Sequence, residues 1–250
     1  MSRIEATYTY TDPLGRPVLR KVRFTDKRFT MQAARYKEPA GLYWKSGPGC
    51  VERWQPEWAR RAMFNLPVLL DALKQGKPAA IVEGERDALT LNTLMRSAVT
   101  TNYQGAMQAT TEQAEWFVRY GKGRSDVNLF IDNDDPGHWA GHQRHALLVT
   151  AGVKPKRIRI WRPKDPTAKD VTDVALRGLS PSAFKLVPRR EIEDRASAYA
   201  AEVVAYDSRP RRKGDGEGMN PETGFVYRVP AEVVRQMRSW RPEVVKRGGS

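Results

Sequence analysis

Val127-Asn128-Leu129-Phe130-Ile131-Asp132-Asn133-Asp134-Asp135-Pro136-Gly137 is the stretch on which the fold turns. It opens as a short apolar run of the kind that forms a buried parallel strand, and acids follow at once. Upstream, Ala79-Ala80-Ile81-Val82-Glu83-Gly84 has the same grammar. A third acidic pair, Asp170 and Asp173, comes after the strand-like Arg157-Ile158-Arg159-Ile160-Trp161. Open α/β sheets bind ligands beyond the carboxyl ends of their strands, and the first two acidic groups fall there. Carboxylates gathered at such a place suit a hard divalent cation such as Mg²⁺, held against phosphate oxygens.

Outward from these runs the chain alternates. The pattern predicts a short helix over 67–75 that stops at Gly76, then a strand over 79–83. An amphipathic helix over 87–96 puts Ala88, Leu91 and Met95 on one face. A short strand over 98–101 follows. Thr110 with Gln113 three residues on reads as a capping box, opening a helix striped by Ala114, Phe117 and Val118 and ended by Gly121. A helix over 138–151, closed by Gly152, follows the aspartates, and the strand over 157–161 comes next. This βαβαβαβ order predicts an α/β domain over 66–190, with a mostly parallel sheet and helices on both faces.

Residues 1–65 read as a small β-rich basic subdomain. Tyr8 and Tyr10 alternate, Asp12-Pro13-Leu14-Gly15 turns the chain, and 18–24 returns as a hairpin arm with Val22 and Phe24 inward and Lys21 and Arg23 outward. Residues 191–250 read as a helical, partly flexible basic extension. It contains a charged, Gly-rich linker over 208–218 and a last helix over 230–240.

The chain carries 43 Lys+Arg against 29 Asp+Glu, a net charge of +14, which favours a polyanionic partner. Basic residues interleave with aromatics between 21 and 54, a mixture that suits single-stranded nucleic acid. Lys21, Arg23, Arg28, Arg35 and Lys37 are the candidate contacts, while the aromatics are mostly explained as the core of the subdomain. Cys50 is the only cysteine, which excludes an intrachain disulfide and a cysteine-based zinc site. No apolar run is long enough to span a membrane and the N-terminus lacks a signal-like segment, so a cytoplasmic protein is expected.

Ile-Val-Glu-Gly-Glu (81–85), Ile-Asp-Asn-Asp-Asp-Pro-Gly (131–137) and Lys-Asp-Val-Thr-Asp (169–173) together resemble the three signatures of the Toprim domain. That domain is shared by bacterial-type primases, topoisomerases, small nucleases and recombination proteins. The resemblance covers roughly 66–178 and is nearest in style to phage and plasmid primases and primase–helicases. It implies that Glu83 is a general acid/base or metal ligand and that Asp132 and Asp134 form an Asp-x-Asp metal pair. Asp170 and Asp173 are implied in a second metal, and Lys169 in touching a phosphate. The implied cofactor is Mg²⁺ or Mn²⁺. The implied activity is synthesis of RNA primers on a single-stranded DNA template from NTPs, during phage or mobile-element replication in a bacterial host cytoplasm. One cysteine cannot build the zinc module of cellular primases and no Walker loop is present. A zinc-binding primase module or a replicative helicase is therefore expected as a separate partner.

Two other readings stay open: a Toprim-type metal-dependent nuclease, and a non-catalytic nucleic-acid-binding replication module. His138, His142 and His145 share one helix at metal-ligand spacing, although surface or phosphate-proximal histidines explain them better. Arg157 and Arg159, close in sequence to Asp170, are candidate nucleotide or template contacts.

Overall fold

The structure, a computed structural model, describes residues 2–39, 41–95, 97–178, 180–207 and 231–239. The linker expected at 208–218, the end positions Pro230 and Trp240 of the last helix, Arg96 and the basic tail lie outside these residues.

Four antiparallel strands form the first sheet in chain order: β1 (Ile4–Thr11), β2 (Pro17–Phe24), β3 (Phe29–Lys37) and β4 (Gly41–Ser46). The first turn holds because Asp12 accepts the N–H groups of Leu14 at 2.8 Å and Arg16 at 2.9 Å. Strands β3 and β4 carry no clean apolar alternation, so the periodicity that revealed the first hairpin does not reveal them. Helices α1 (Cys50–Trp54), α2 (Trp58–Arg61) and α3 (Leu66–Lys74) lead into the second sheet. Leu66, Leu69, Leu70 and Leu73 give α3 a single buried stripe, each leucine contributing about 1.5–3 kcal/mol relative to exposure.

The second sheet contains β5 (Ala79–Ile81), β6 (Ala98–Thr100), β7 (Val127–Phe130), β8 (Ile158–Pro163) and β9 (Phe184–Leu186). Its order is β6-β5-β7-β8-β9, parallel throughout except for β9. Alternate residues of one run serve opposite cores. Ala79 and Ile81 join Leu69, Phe117 and Leu129, whereas Ala80 and Val82 join Ala88, Leu91 and Phe130. Burial on both faces explains why these strands read as continuous apolar runs. The crossovers are α4 (Glu85–Met95), α5 (Thr111–Gly121) and α6 (Asp135–Ala151); α7 (Val171–Leu176) lies between β8 and β9. The capping box at Thr110 and Gln113 is present. After β9, α8 (Arg189–Asp207) lies along α6, and α9 (Ala231–Ser239) packs on it through Val233, Val234 and Met237 against Tyr199 and Val203.

The first sheet is fastened to the second through Glu85, the first residue of α4. Glu85 is buried, accepts a hydrogen bond from the Tyr10 hydroxyl, and pairs with Lys21 Nζ at 2.9 Å. Lys21, expected outward, is therefore turned inward: β2 presents Leu19 and Lys21 to the α/β domain, and a buried carboxylate is there to meet the amine. Tyr10 completes the contact edge-on to Phe64 and Tyr103. Glu85→Ala is expected to destabilise the protein by about 3–5 kcal/mol, because it strands Lys21 without a counter-charge. Glu85→Ala combined with Lys21→Met should recover a large part of that loss. Equal loss in the single and double variants, measured by chemical denaturation, would show that the ion pair is not what matters.

Candidate functional site

The chain runs from β5 out to the edge strand β6 and returns on the other side of β5 as β7. The order therefore reverses between β5 and β7, the place where open sheets form a crevice. Glu83 follows β5 and Asp132 follows β7, so the two acids stand at that crevice. Glu83 Oε1 accepts the Asp132 backbone N–H at 3.0 Å. Asp134 caps α6 by accepting the Gly137 N–H at 2.8 Å, which turns the start of the helix toward the acids. The approach is so close that a Cβ on Gly137 would lie 2.5 Å from the Asp132 carbonyl oxygen and 2.8 Å from Glu83 Oε1.

The third acidic group reaches the crevice through α7. Asp170 caps that helix by accepting the Asp173 N–H at 2.7 Å, and Asp173 accepts the Lys169 N–H at 2.9 Å. Lys169 Nζ stands 3.5 Å from an Asp132 carboxylate oxygen and 3.2 Å from one of Asp134. Asp87, not anticipated from sequence, accepts from Thr172 through both N–H (3.1 Å) and hydroxyl (2.6 Å). Its only sequence signal is its place in the first turn of α4, four residues after Glu83.

Behind the acids lies Arg144, a buried arginine on α6 whose guanidinium donates to Asn102 Oδ1 at 2.8 Å. Burial lowers its pKa, opposed by Glu83 and Asp132. Burial raises Glu83 to about 7; Arg144 and the Asp132 N–H oppose the rise, and Asp134 and Asp87 add to it. Asp132 is also pushed up, first by burial and then by Glu83, Asp87 and Asp134, with Lys169 opposing. Burial raises Asp87 to about 6, with Asp170 adding to the rise and the Thr172 hydrogen bonds opposing it. At Lys169 partial burial disfavours the charge, but Asp134 and Asp132 outweigh it and raise the pKa.

These carboxyls bind a proton more tightly folded than unfolded. Their contribution to stability is complete below the unfolded pKa of about 4 and is lost as pH rises through the folded values. The metal-free protein should therefore lose stability between pH 5 and 8, as Asp87 and then Glu83 ionise. Denaturation in EDTA across that window tests this, and an unchanged midpoint would count against a crowded acid cluster.

Among the described residues, no three carboxylate, histidine or cysteine side chains already form a metal cage. The donor chemistry nonetheless fits a hard divalent ion. The donors are carboxylate oxygens alone, crowded enough to retain protons, and a lysine ammonium stands between two of them. The histidines do not join them. His138 is buried, with Nδ1 2.6 Å from the Asp134 carbonyl and Nε2 3.0 Å from Arg195. A carbonyl only accepts and a guanidinium only donates, so His138 is the neutral tautomer protonated on Nδ1. Burial and Arg189 lower His145 to about 4, and burial lowers His142.

The basic candidates separate. Arg157 and Arg159 pair with Asp126 at 2.9 and 2.8 Å, at the opening end of β7 and away from the acids. Their closeness to Asp170 in sequence is undone by β8, which runs between them. Arg23 pairs with Glu5 and Arg28 with Asp26, Arg35 lies 4.7 Å over Trp54, and Lys37 is exposed at the end of β3. Arg162 of β8, in the same basic run of the sequence, bridges Asn133 at 3.0 Å and Glu191 at 2.9 Å, steadying the aspartate loop.

Residues 80–174 match the Toprim-like family. No curated protein matches the chain. Among solved structures the chain is similar to the primase fragment of the bacteriophage T7 primase-helicase protein. That likeness has 21% identity and a TM-score of 0.47, covering 76% of this chain and 61% of that one. It is also similar to the zinc-binding and RNA polymerase domains of the Aquifex aeolicus primase (20%, TM-score 0.47, 92% and 53%). A third likeness is to the RNA polymerase domain of the Mycobacterium tuberculosis primase DnaG (15%, TM-score 0.46, 81% and 62%). The chain thus spans between 53% and 62% of the length of these three. No described helix is long and apolar enough to cross a membrane.

Proposed function

We propose that the chain is a primase core that joins ribonucleotides on single-stranded DNA with Mg²⁺ or Mn²⁺. The observation that carries the proposal is the meeting of Glu83, Asp132 and Asp134 at the β5/β7 crevice of a Toprim-like domain. Glu83, Asp132 and Asp134 would hold the ion, with Asp170 and Asp173 toward a second. When bound, the ion neutralises phosphate charge and aligns the attacking oxygen with the leaving group. The protein's own part is to bind, orient and move protons. A Glu83 carboxyl near neutral pKa is suited to take a proton from a primer hydroxyl. Arg144 gives the site a fixed positive charge from behind. The first sheet, held to α4 through Glu85, carries Arg20 over Trp44 (4.4 Å) and sets Arg35 over Trp54 of α1 (4.7 Å), cation–aromatic pairs that suit phosphates and stacked bases of a single strand.

The test is primer synthesis from NTPs on single-stranded DNA with Mg²⁺ or Mn²⁺, using the full chain alone and with a helicase or zinc-binding primase module added. A product that requires NTPs and template is expected. No product in any combination would reject priming, and nicking of DNA without nucleotides would assign the same carboxylates to a nuclease.

A further inference from the structure

We propose that Lys169 is a tethered stand-in cation for the acidic site: its ammonium occupies the place between the Asp132 and Asp134 carboxyl groups in the metal-free protein and must be displaced when a divalent ion binds. The inference rests on these carboxylates being the metal ligands.

The argument begins with the backbone. Asn133 N–H donates to the Lys169 carbonyl at 2.7 Å, and Lys169 N–H donates to Asp173 at 2.9 Å. The Asn133 side chain also reaches the carbonyls of Asp165 and Ala168 at 3.3 and 3.4 Å. These bonds fasten the start of α7 to the aspartate loop, so the lysine Cα is held at a set distance from both acids. From there Nζ comes within 3.5 Å of Asp132 and 3.2 Å of Asp134, bridging the pair.

The side chain that does this is free to leave. Lys169 is 58% exposed along its side chain, whereas the carboxylates it bridges are 16% and 31% exposed. Its ammonium can move into water on a flexible four-carbon stem, and the acids cannot follow. Arg144 makes the contrast clear, because its guanidinium is buried and anchored to Asn102. The site therefore has a permanent positive charge behind it and an exchangeable one in front. The ammonium brings one positive charge to two carboxyl groups, and a divalent ion brings two.

Competition of this kind has a definite signature. Lys169→Met should bind Mn²⁺ about three- to tenfold more tightly than the wild type, the range given by losing one or two partly exposed ion-pair contacts. Lys169→Arg should bind close to the wild type. Titration calorimetry of the full chain at fixed pH and low salt measures both, with Asp132→Asn as the control that abolishes binding. A thermal melt provides a second readout: Lys169→Met should melt below wild type in EDTA, with the gap closing or reversing in saturating Mn²⁺. Unchanged or weaker Mn²⁺ binding in Lys169→Met, with wild type binding and Asp132→Asn not, would overturn the stand-in role and leave the metal site intact. Absence of Mn²⁺ binding in the wild type would overturn both. A melting gap of the same sign and size with and without Mn²⁺ would reduce Lys169 to an ordinary structural ion pair.

Discussion

For the proposed priming activity, Asp132→Asn is expected to lower primer synthesis by about 10²–10⁴-fold, the range for losing a positioned acid, base or ligand, while making the metal-free protein more stable at pH 8. The two effects have one cause. Asp132 is buried beside Glu83, Asp87 and Asp134, and its carboxyl stays protonated in the fold where it would ionise in the unfolded chain. Asparagine has nearly the same shape and no charge to suppress, and the Asp132 backbone N–H that supports Glu83 survives the change. The gain should be on the order of 1–3 kcal/mol after allowing for the lost Lys169 contact. Asp134→Asn should cost activity with less gain in stability, because Asp134 is more exposed and caps α6. Activity assays beside denaturation at pH 5 and pH 8 check this. An Asp132→Asn variant that is less stable than wild type at both pH values would mean that the carboxyl contributes hydrogen bonds worth more than its repulsion.

Gly137→Ala should be the most damaging single-methyl change in the molecule's centre, with Gly84→Ala as its control. The new Cβ at 137 would meet the Asp132 carbonyl oxygen at 2.5 Å, Glu83 Oε1 at 2.8 Å and Asp132 Cβ at 2.9 Å. Two of those atoms belong to the strand end and its first side-chain carbon and cannot rotate away, so the start of α6 must shift. A misfit of this kind costs about 1–3 kcal/mol, or about 2–12 °C in Tm for a protein of this size, and it moves the acids relative to one another. Catalysis and Mn²⁺ affinity should fall with it. At Gly84 the nearest atom to an added Cβ is Asp87 Oδ2 at 3.5 Å, an ordinary contact, so alanine should leave the Tm nearly unchanged. Melting curves of the two variants side by side decide the matter, and similar losses at both glycines would refute the close-packing account.

Much of the local architecture is legible in the sequence because it depends on short-range chemistry. Buried parallel strands must be apolar on both faces, which marks 79–82 and 127–131. Caps operate over three residues, which makes Thr110 with Gln113 visible; the same geometry is adopted by Asp134 with Gly137 and by Asp170 with Asp173. The acids that end two strands could be named for the same reason. Strands β3, β4 and β9 are not legible in the sequence, because they are edge or half-exposed strands whose residues carry no strict alternation.

What lies across longer separations was decided only by the fold. The Glu83–Asp132 contact spans 49 residues and exists because β7 crosses to the far side of β5, an order the residues of either strand do not encode. Lys21 reads as an outward residue of a hairpin until Glu85, on another sheet, gives its charge a buried partner. Arg157 and Arg159 stand close to Asp170 in the chain, yet β8 carries them to the opposite end of the sheet, where Asp126 takes them. The identity of the acids thus belongs to local sequence. Their shared proton load, the fixed arginine behind them and the movable lysine in front come from packing, because charge interactions depend on distance and burial, which only the assembled sheet defines.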